Sequence, residues 1–226
     1  SVYNVAVGYH AGVNVTTGTL NTLVGGLAGD AITTGLNNVG VGYLAMSALT
    51  EGARNTALGT GALDADTLGS FSTAIGYGSL TTQNLTTATD TYNTALGYLS
   101  GALLTTGVNN TLIGALSGDS LTDADNNVVV GRSALQADTL GSTSVAIGYA
   151  ALATQNFTTA TNTYNTAVGF EAGNDVTTGV QNTLIGGLAG DALTTGSQNV
   201  AVGYLALSTD DVGTDAVAIG KGALQN

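Results

Sequence analysis

Side chains able to do acid, base, nucleophilic or metal chemistry are scarce in this sequence. His10 is the only histidine and cysteine is absent. A multi-histidine metal centre and a Cys-His pair are therefore ruled out, and a Ser-His pair would have to use that one residue. The carboxylates come nearest to one another as Asp64 and Asp66, Asp123 and Asp125, and Asp210 and Asp211. Such pairs could hold Ca²⁺ through oxygen ligands or act as two catalytic carboxylates. They lie, however, among Gly, Thr and Ser, where Asp is expected for bonding turn backbone. The Gly-Gly-x-Gly-x-Asp run that stacks Ca²⁺ in other β-rolls does not occur. The expectation is a protein without catalysis, cofactor or metal.

Aromatic residues follow a rule of their own. Tyr9, Tyr43, Tyr77, Tyr98, Tyr149, Phe170 and Tyr204 each directly follow a glycine that recurs through the chain. Aromatic faces in such a column can carry sugars, or can cover neighbouring strands. Arg132 and Lys221 occupy the same place, so part of the column must be reachable by water.

The recurring glycine defines the elements that position these groups. It stands at Gly8, Gly25, Gly42, Gly59, Gly76, Gly97, Gly114, Gly131, Gly148, Gly169, Gly186, Gly203 and Gly220. Successive copies are 17 residues apart, except for two steps of 21 after Gly76 and Gly148. A fixed short period is the signature of a repeat architecture. Counting from this anchor, position −1 is Val, Leu or Ile and −3 is Val or Thr, while −2 is mostly Ala and −4 mostly Asn. Alternation of this kind is a strand signal, and the glycine ends the strand where the chain turns. A further glycine at +10 in nearly every 17-residue coil marks a second turn. Two or three glycines in each coil argue against a helical array.

The pattern predicts an all-β fold, a parallel β-solenoid or flattened β-roll of about 13 coils with two turns and two short strands each, forming one continuous unit over residues 1–226. At the usual strand spacing the rod is roughly 60 Å long. Stacked Asn4, Asn21, Asn38, Asn55, Asn93, Asn110, Asn127, Asn165, Asn182 and Asn199 are expected to form a structural ladder that bonds the turn backbone. The −1 and −3 side chains are expected to fill the dry interior. The −2 column, with Leu23, Leu112, Val129 and Leu184 as its largest members, is expected to face outward as a chain-chain interface. On that reading Leu112→Asp with Leu184→Asp dissociates an oligomer.

A longer period of 72 residues relates Gly76, Gly148 and Gly220, and the first block carries one additional coil next to Gly59. The two long coils hold TTQNLTTATDTY at 81–92 and ATQNFTTATNTY at 153–164. Insertions in repeat proteins gather on one face, often a binding face. Gln83, Asn84, Tyr92, Gln155, Asn156 and Tyr164 are therefore candidate receptor-contact residues; the plainer alternative tucks Leu85 and Phe157 into the roll.

Fifteen acidic residues against Arg54, Arg132 and Lys221 give a net charge of −12, which disfavours phosphate-backbone binding and excludes nucleic acid as a partner. No apolar run approaches the roughly 18 residues of a membrane span, so no membrane insertion is expected. The first residue already lies within a repeat, so the chain reads as a piece of a longer fibre.

The stretches NTAVGF (165–170), NTALGY (93–98) and SVAIGY (144–149) resemble the head repeats of trimeric autotransporter adhesins. With the TTG linkers at Thr16–Gly18, Thr33–Gly35 and Thr177–Gly179 they are similar to the Asn-Thr-Ala-Val-Gly repeats of bacteriophage tail and side fibres. The resemblance implies a parallel homotrimer, extracellular or on a virion surface, serving as a structural or adhesive rod with a host-surface glycan or protein as receptor. Adhesin heads of this type use a shorter coil. Two other readings stand beside it: a self-assembling extracellular filament, since uncapped β-edges pair readily, and an ice-binding solenoid, which needs a flat array of Thr.

Overall fold

The computed structural model describes residues 3–225, and in it every coil contributes one three-residue strand at positions −3 to −1, from Val5–Val7 to Val217–Ile219. The thirteen strands form a single parallel sheet in chain order. Register never slips: Val7 pairs with Val24, Val24 with Val41, and Val130 with Ile147. The long coils rejoin in the same register, Thr73 opposite Thr94 and Val145 opposite Thr166. The anchor amide extends each ladder, as where Gly25 N–H donates to the Val7 carbonyl at 2.8 Å.

The anchors are glycines for two reasons. Their φ values lie between +116° and +147°, a region that side chains rarely enter. A Cβ on Gly8 would also press into the carbonyl group of Gly25 one rung on, and the same collision recurs up the stack. Only one regular strand forms per coil, not the expected two. The other side of the roll is built from bends joined rung to rung, as where Thr33 N–H donates to the Thr50 carbonyl at 2.9 Å. Regular pairing appears there only where the insertions extend it, Gly69–Ser70 with Thr89–Asp90 and Gly141–Ser142 with Thr161–Asn162.

The two faces of the sheet are the reverse of the sequence expectation. Position −2 points inward: Leu23, Leu112, Val129 and Leu184 are completely or almost completely buried within the single chain, so they are core and not a chain-chain interface. Positions −1 and −3 point outward, with Val7, Leu58, Leu96 and Ile185 exposed. The reason is volume. The interior is narrow and already holds the +7 column (Ile32, Leu49, Leu104, Leu121, Leu193) and the +4 column (Met46, Leu63, Leu80, Leu135, Leu152, Leu207), all buried. Ala or Gly is therefore all that usually fits at −2.

Where Leu does stand at −2, the +4 residues of its own coil and of the preceding coil are both glycine. Leu23 lies over Gly12 and Gly29, Leu112 over Gly101 and Gly118, and Leu184 over Gly173 and Gly190. A Cβ on Gly173 would come within 2.6 Å of Leu184 Cδ1, and one on Gly190 within 2.7 Å of Leu184 Cδ2. One branched side chain thus fills the space of two missing ones, at the packing density expected of a protein interior. This four-coil alternation is the physical content of the 72-residue period. It identifies the coil of Gly42, with Gly40 at −2 and Met46 at +4, as the additional one in the first block.

Candidate functional site

The asparagine column is built into the rung-to-rung bonding. Asn21 accepts the Asn38 N–H on its Oδ1 at 3.0 Å and donates from Nδ2 to the Gly35 carbonyl at 2.9 Å. Asn4, Asn38, Asn55, Asn110, Asn127, Asn182 and Asn199 repeat both bonds. Each amide side chain therefore ties one rung to the next and pins the +10 turn, and direct amide-to-amide contacts are secondary. Asn93 and Asn165 make the same two bonds and donate in addition to Gln83 Oε1 at 2.9 Å and Gln155 Oε1 at 2.7 Å.

Those two glutamines belong to buried networks and not to exposed loops. Ser72 and Ser144 replace Asn in the coils where the insertions follow, and Gln83 and Gln155 stand in the +7 column, directly after Asp66 and Asp138 and among Ile32, Leu49, Leu104 and other aliphatic residues. Gln83 Nε2 donates to Asp66 Oδ2 at 2.6 Å and to Ser72 Oγ at 2.9 Å, and Gln155 repeats this with Asp138 and Ser144 at 2.6 and 3.0 Å. The backbone N–H groups of Gly69 and Leu85 close the far side of Asp66. Burial pushes the Asp66 and Asp138 carboxyls above the ordinary 3.8, against the opposing pull of these donors. Gln83 and Gln155 are fully buried, so they cannot serve as receptor contacts. Leu85 and Phe157 do tuck into the roll. Asn84, Asn156, Tyr92 and Tyr164 remain exposed, with Tyr92 stacked on Phe71 at 5.2 Å between ring centres and Arg54 over the far face of Phe71.

The carboxylate pairs seen in the sequence do not converge on a reaction centre. Asp66 lies inside its network, Asp64 accepts from Ser47 Oγ, Asp125 caps the Val108 N–H at 2.7 Å, and Asp210 binds the Gly213 N–H at 2.8 Å. Among the described residues no group of three His, Asp or Glu side chains is arranged to hold a metal ion. His10 stacks on Tyr9 with ring centres 4.0 Å apart.

Two surfaces remain that sequence reasoning did not single out. One is the outer face of the thirteen-stranded sheet, where the −1 aliphatics and the −3 Val and Thr residues stand side by side. The sequence signal for it was the β-branched character of both columns, which suits a flat exposed sheet as well as a core. The other is a groove of about 360 Å³ bordered by Tyr43, Leu44, Thr60, Gly61, Asp64 and Tyr77, with Gly78, Thr81 and Leu99 completing it. Its signal was the break in two columns at once. The aromatic column lapses to Thr60, and the +2 column, Leu in six coils, lapses to glycine at Gly61 and Gly78. No family model, no curated protein and no solved structure matches the chain.

Proposed function

We propose that this chain is a structural and adhesive fibre segment, extracellular or on a virion surface, whose rods associate side by side as a parallel homotrimer through the outer face of the sheet. The observation that carries the reading is that face. It runs the length of the rod, about 60 Å by about 10 Å, with an unbroken aliphatic column at −1 beside a −3 column of six Val and seven Thr, and a continuous apolar stripe of that length marks an interaction surface. Val7, Leu58, Leu96, Ile185 and Ile219 lie on it between 40 and 69% exposed. Aliphatic side chains in columns along an in-register parallel sheet suit packing against an identical face. The +1 column, round the corner of the anchor turn and carrying Arg132 and Lys221, stays outside that contact.

Leu96→Asp with Ile185→Asp tests this, because both side chains are exposed and their replacement leaves the interior intact. Sedimentation of the wild-type chain is expected to give three times the 22.1 kDa chain mass, and the double variant a monomer with unchanged circular dichroism. A monomeric wild-type chain would remove the proposal. Ice binding gains one point from the same face, since Thr56, Thr73, Thr94 and Thr111 stand on it in four consecutive rungs. Val39 and Val128 bound that run at four rungs, and thermal hysteresis by the wild-type chain would favour that reading over the fibre.

A further inference from the structure

We infer that the groove over Thr60 is a binding site for a neutral hexopyranose ring, held between the faces of Tyr43 and Tyr77. The rings of the +1 column stack along the rod: Tyr77 and Tyr98, on adjacent rungs, have centres 5.6 Å apart and planes inclined by 15°. Tyr43 and Tyr77 stand in the same column two rungs apart, with only Thr60 between them. At the usual strand spacing the two rungs are about 9.6 Å apart, so a ring entering at the level of Thr60 would lie about 4.8 Å from each rung, inside the roughly 4.5–7 Å range of stacked rings. Both tyrosines are more than half exposed, so the gap opens to solvent.

The glycines beneath this gap are not required by the backbone. Gly61 and Gly78 have φ of +64° and +61°, but Leu44, Leu99 and Leu116 occupy the same +2 position at φ of +58°, +51° and +58°. Leucine is therefore tolerated at this place in the coil, and what glycine adds at 61 is space: a Cβ there would find no heavy atom nearer than Thr81 Oγ1 at 3.9 Å. Leu99 leans over Gly78 and closes one end, while Leu44 closes the other. The volume of about 360 Å³ suits one sugar residue, and pockets for small ligands begin near 300 Å³.

The polar groups on the wall select the ligand. Asp64 has one carboxylate oxygen engaged by Ser47, and no hydrogen bond from the described residues reaches its other oxygen. Thr60 and Thr81 line the same groove and bring two hydroxyl-bearing side chains to it. A carboxylate acceptor in a groove bordered by two aromatic side chains suits a ring that offers C–H faces above and below and hydroxyl donors at its edge. The net charge of −12 disfavours an anionic sugar. The coil of Gly42, the additional one, supplies Tyr43 and Leu44. In the second block the coil preceding Gly131 offers Ala115 and Leu116 instead, so that block does not repeat the arrangement.

The site does not depend on how the chains associate, because the +1 and +2 columns lie beyond the turn that ends the sheet face. The test is amide NMR of the wild-type chain titrated with methyl glycosides of glucose, galactose and mannose, alongside Gly61→Leu and Thr60→Tyr. At least one glycoside is expected to shift the amides of Thr60, Gly61, Gly78 and Thr81 saturably, and either variant to weaken that binding tenfold or more, about 1.4 kcal/mol. Sedimentation of both variants should match wild type, which separates loss of the sugar site from loss of the fibre interface. Absence of a saturable shift with all three glycosides, or shifts that persist in Gly61→Leu, would overturn the assignment.

Discussion

Leu184 and Gly190 offer a decisive test of the way the core is filled. Replacing Leu184 by Ala removes a fully buried side chain from a wall that cannot collapse, because the ladders on either side fix the rung spacing. The cost expected from comparable Leu→Ala changes is about 3–5 kcal/mol. Gly190→Leu alone drives a new side chain into Leu184 Cδ2, 2.7 Å from where its Cβ would sit, and overpacking of this kind costs about 1–3 kcal/mol. Together the two changes convert the coil to the Ala-and-Leu arrangement found at Ala201 with Leu207, both buried, where Leu207 holds a φ of +55° close to the +59° of Gly190. The gap beside Gly173 is not refilled, so recovery is partial. The double variant is expected to lose about 2–4 kcal/mol, less than Leu184→Ala alone, with a coupling near the upper end of the roughly 0.5–3 kcal/mol seen for contacting residues. Since long repeat arrays do not unfold as one unit, the readout is hydrogen exchange of the amides in the coils of Gly169, Gly186 and Gly203, which reports local opening. Additive losses would refute the reciprocal filling and with it the explanation of the 72-residue period.

Two further outcomes follow from the polar interior. Burial raises the Asp66 and Asp138 carboxyls above 3.8, so just above that pH the folded chain holds protons the unfolded chain has released; stability then falls as pH rises through that window. Thermal melts of the wild-type chain and of Asp66→Asn with Asp138→Asn, compared from pH 3 upward, should show a steeper slope in the former, since Asp119 and Asp191, also raised by burial, titrate in both; parallel curves would reject it. Asn38→Ala leaves the Asn55 N–H and the Gly52 carbonyl without their partners, at about 1–3 kcal/mol for each buried unsatisfied group, and the Asn55 amide should exchange faster with solvent while amides several rungs away stay protected.

The period, the anchor glycines, the parallel stacking and the Asn column could all be read from the amino acids, because each depends on a backbone demand that few residue types satisfy. The direction in which the strand faces could not be read from alternation alone. Both faces are apolar here, and a three-residue strand offers too few positions for the usual contrast between wet and dry sides. Bulk suggested that Val7 and Val24 were inside; the reciprocity of Leu23 with Gly12 and Gly29, or of Leu184 with Gly173 and Gly190, was the evidence in the sequence that Leu23 and Leu184 were. Gln83 and Gln155 misled for a related reason. Polar residues in an insertion suggest solvent, but their place in the column of Ile32 and Leu49 puts them in the interior, where Asp66 and Asp138 in the preceding coils provide partners. The groove at Thr60 is visible only once the columns are laid side by side.

The additional coil at Gly42 joins its neighbours in unbroken register, Val39 opposite Thr22 below and opposite Thr56 above. Length in this molecule is therefore a free variable: an in-frame duplication of one coil's codons lengthens the rod by about 4.8 Å and leaves the other layers as they were. Recombination between near-identical segments such as NTLIGALSGD and NTLIGGLAGD supplies such duplications, so reach can evolve in fixed increments, and a newly gained layer can bring a recess that its ancestors lacked.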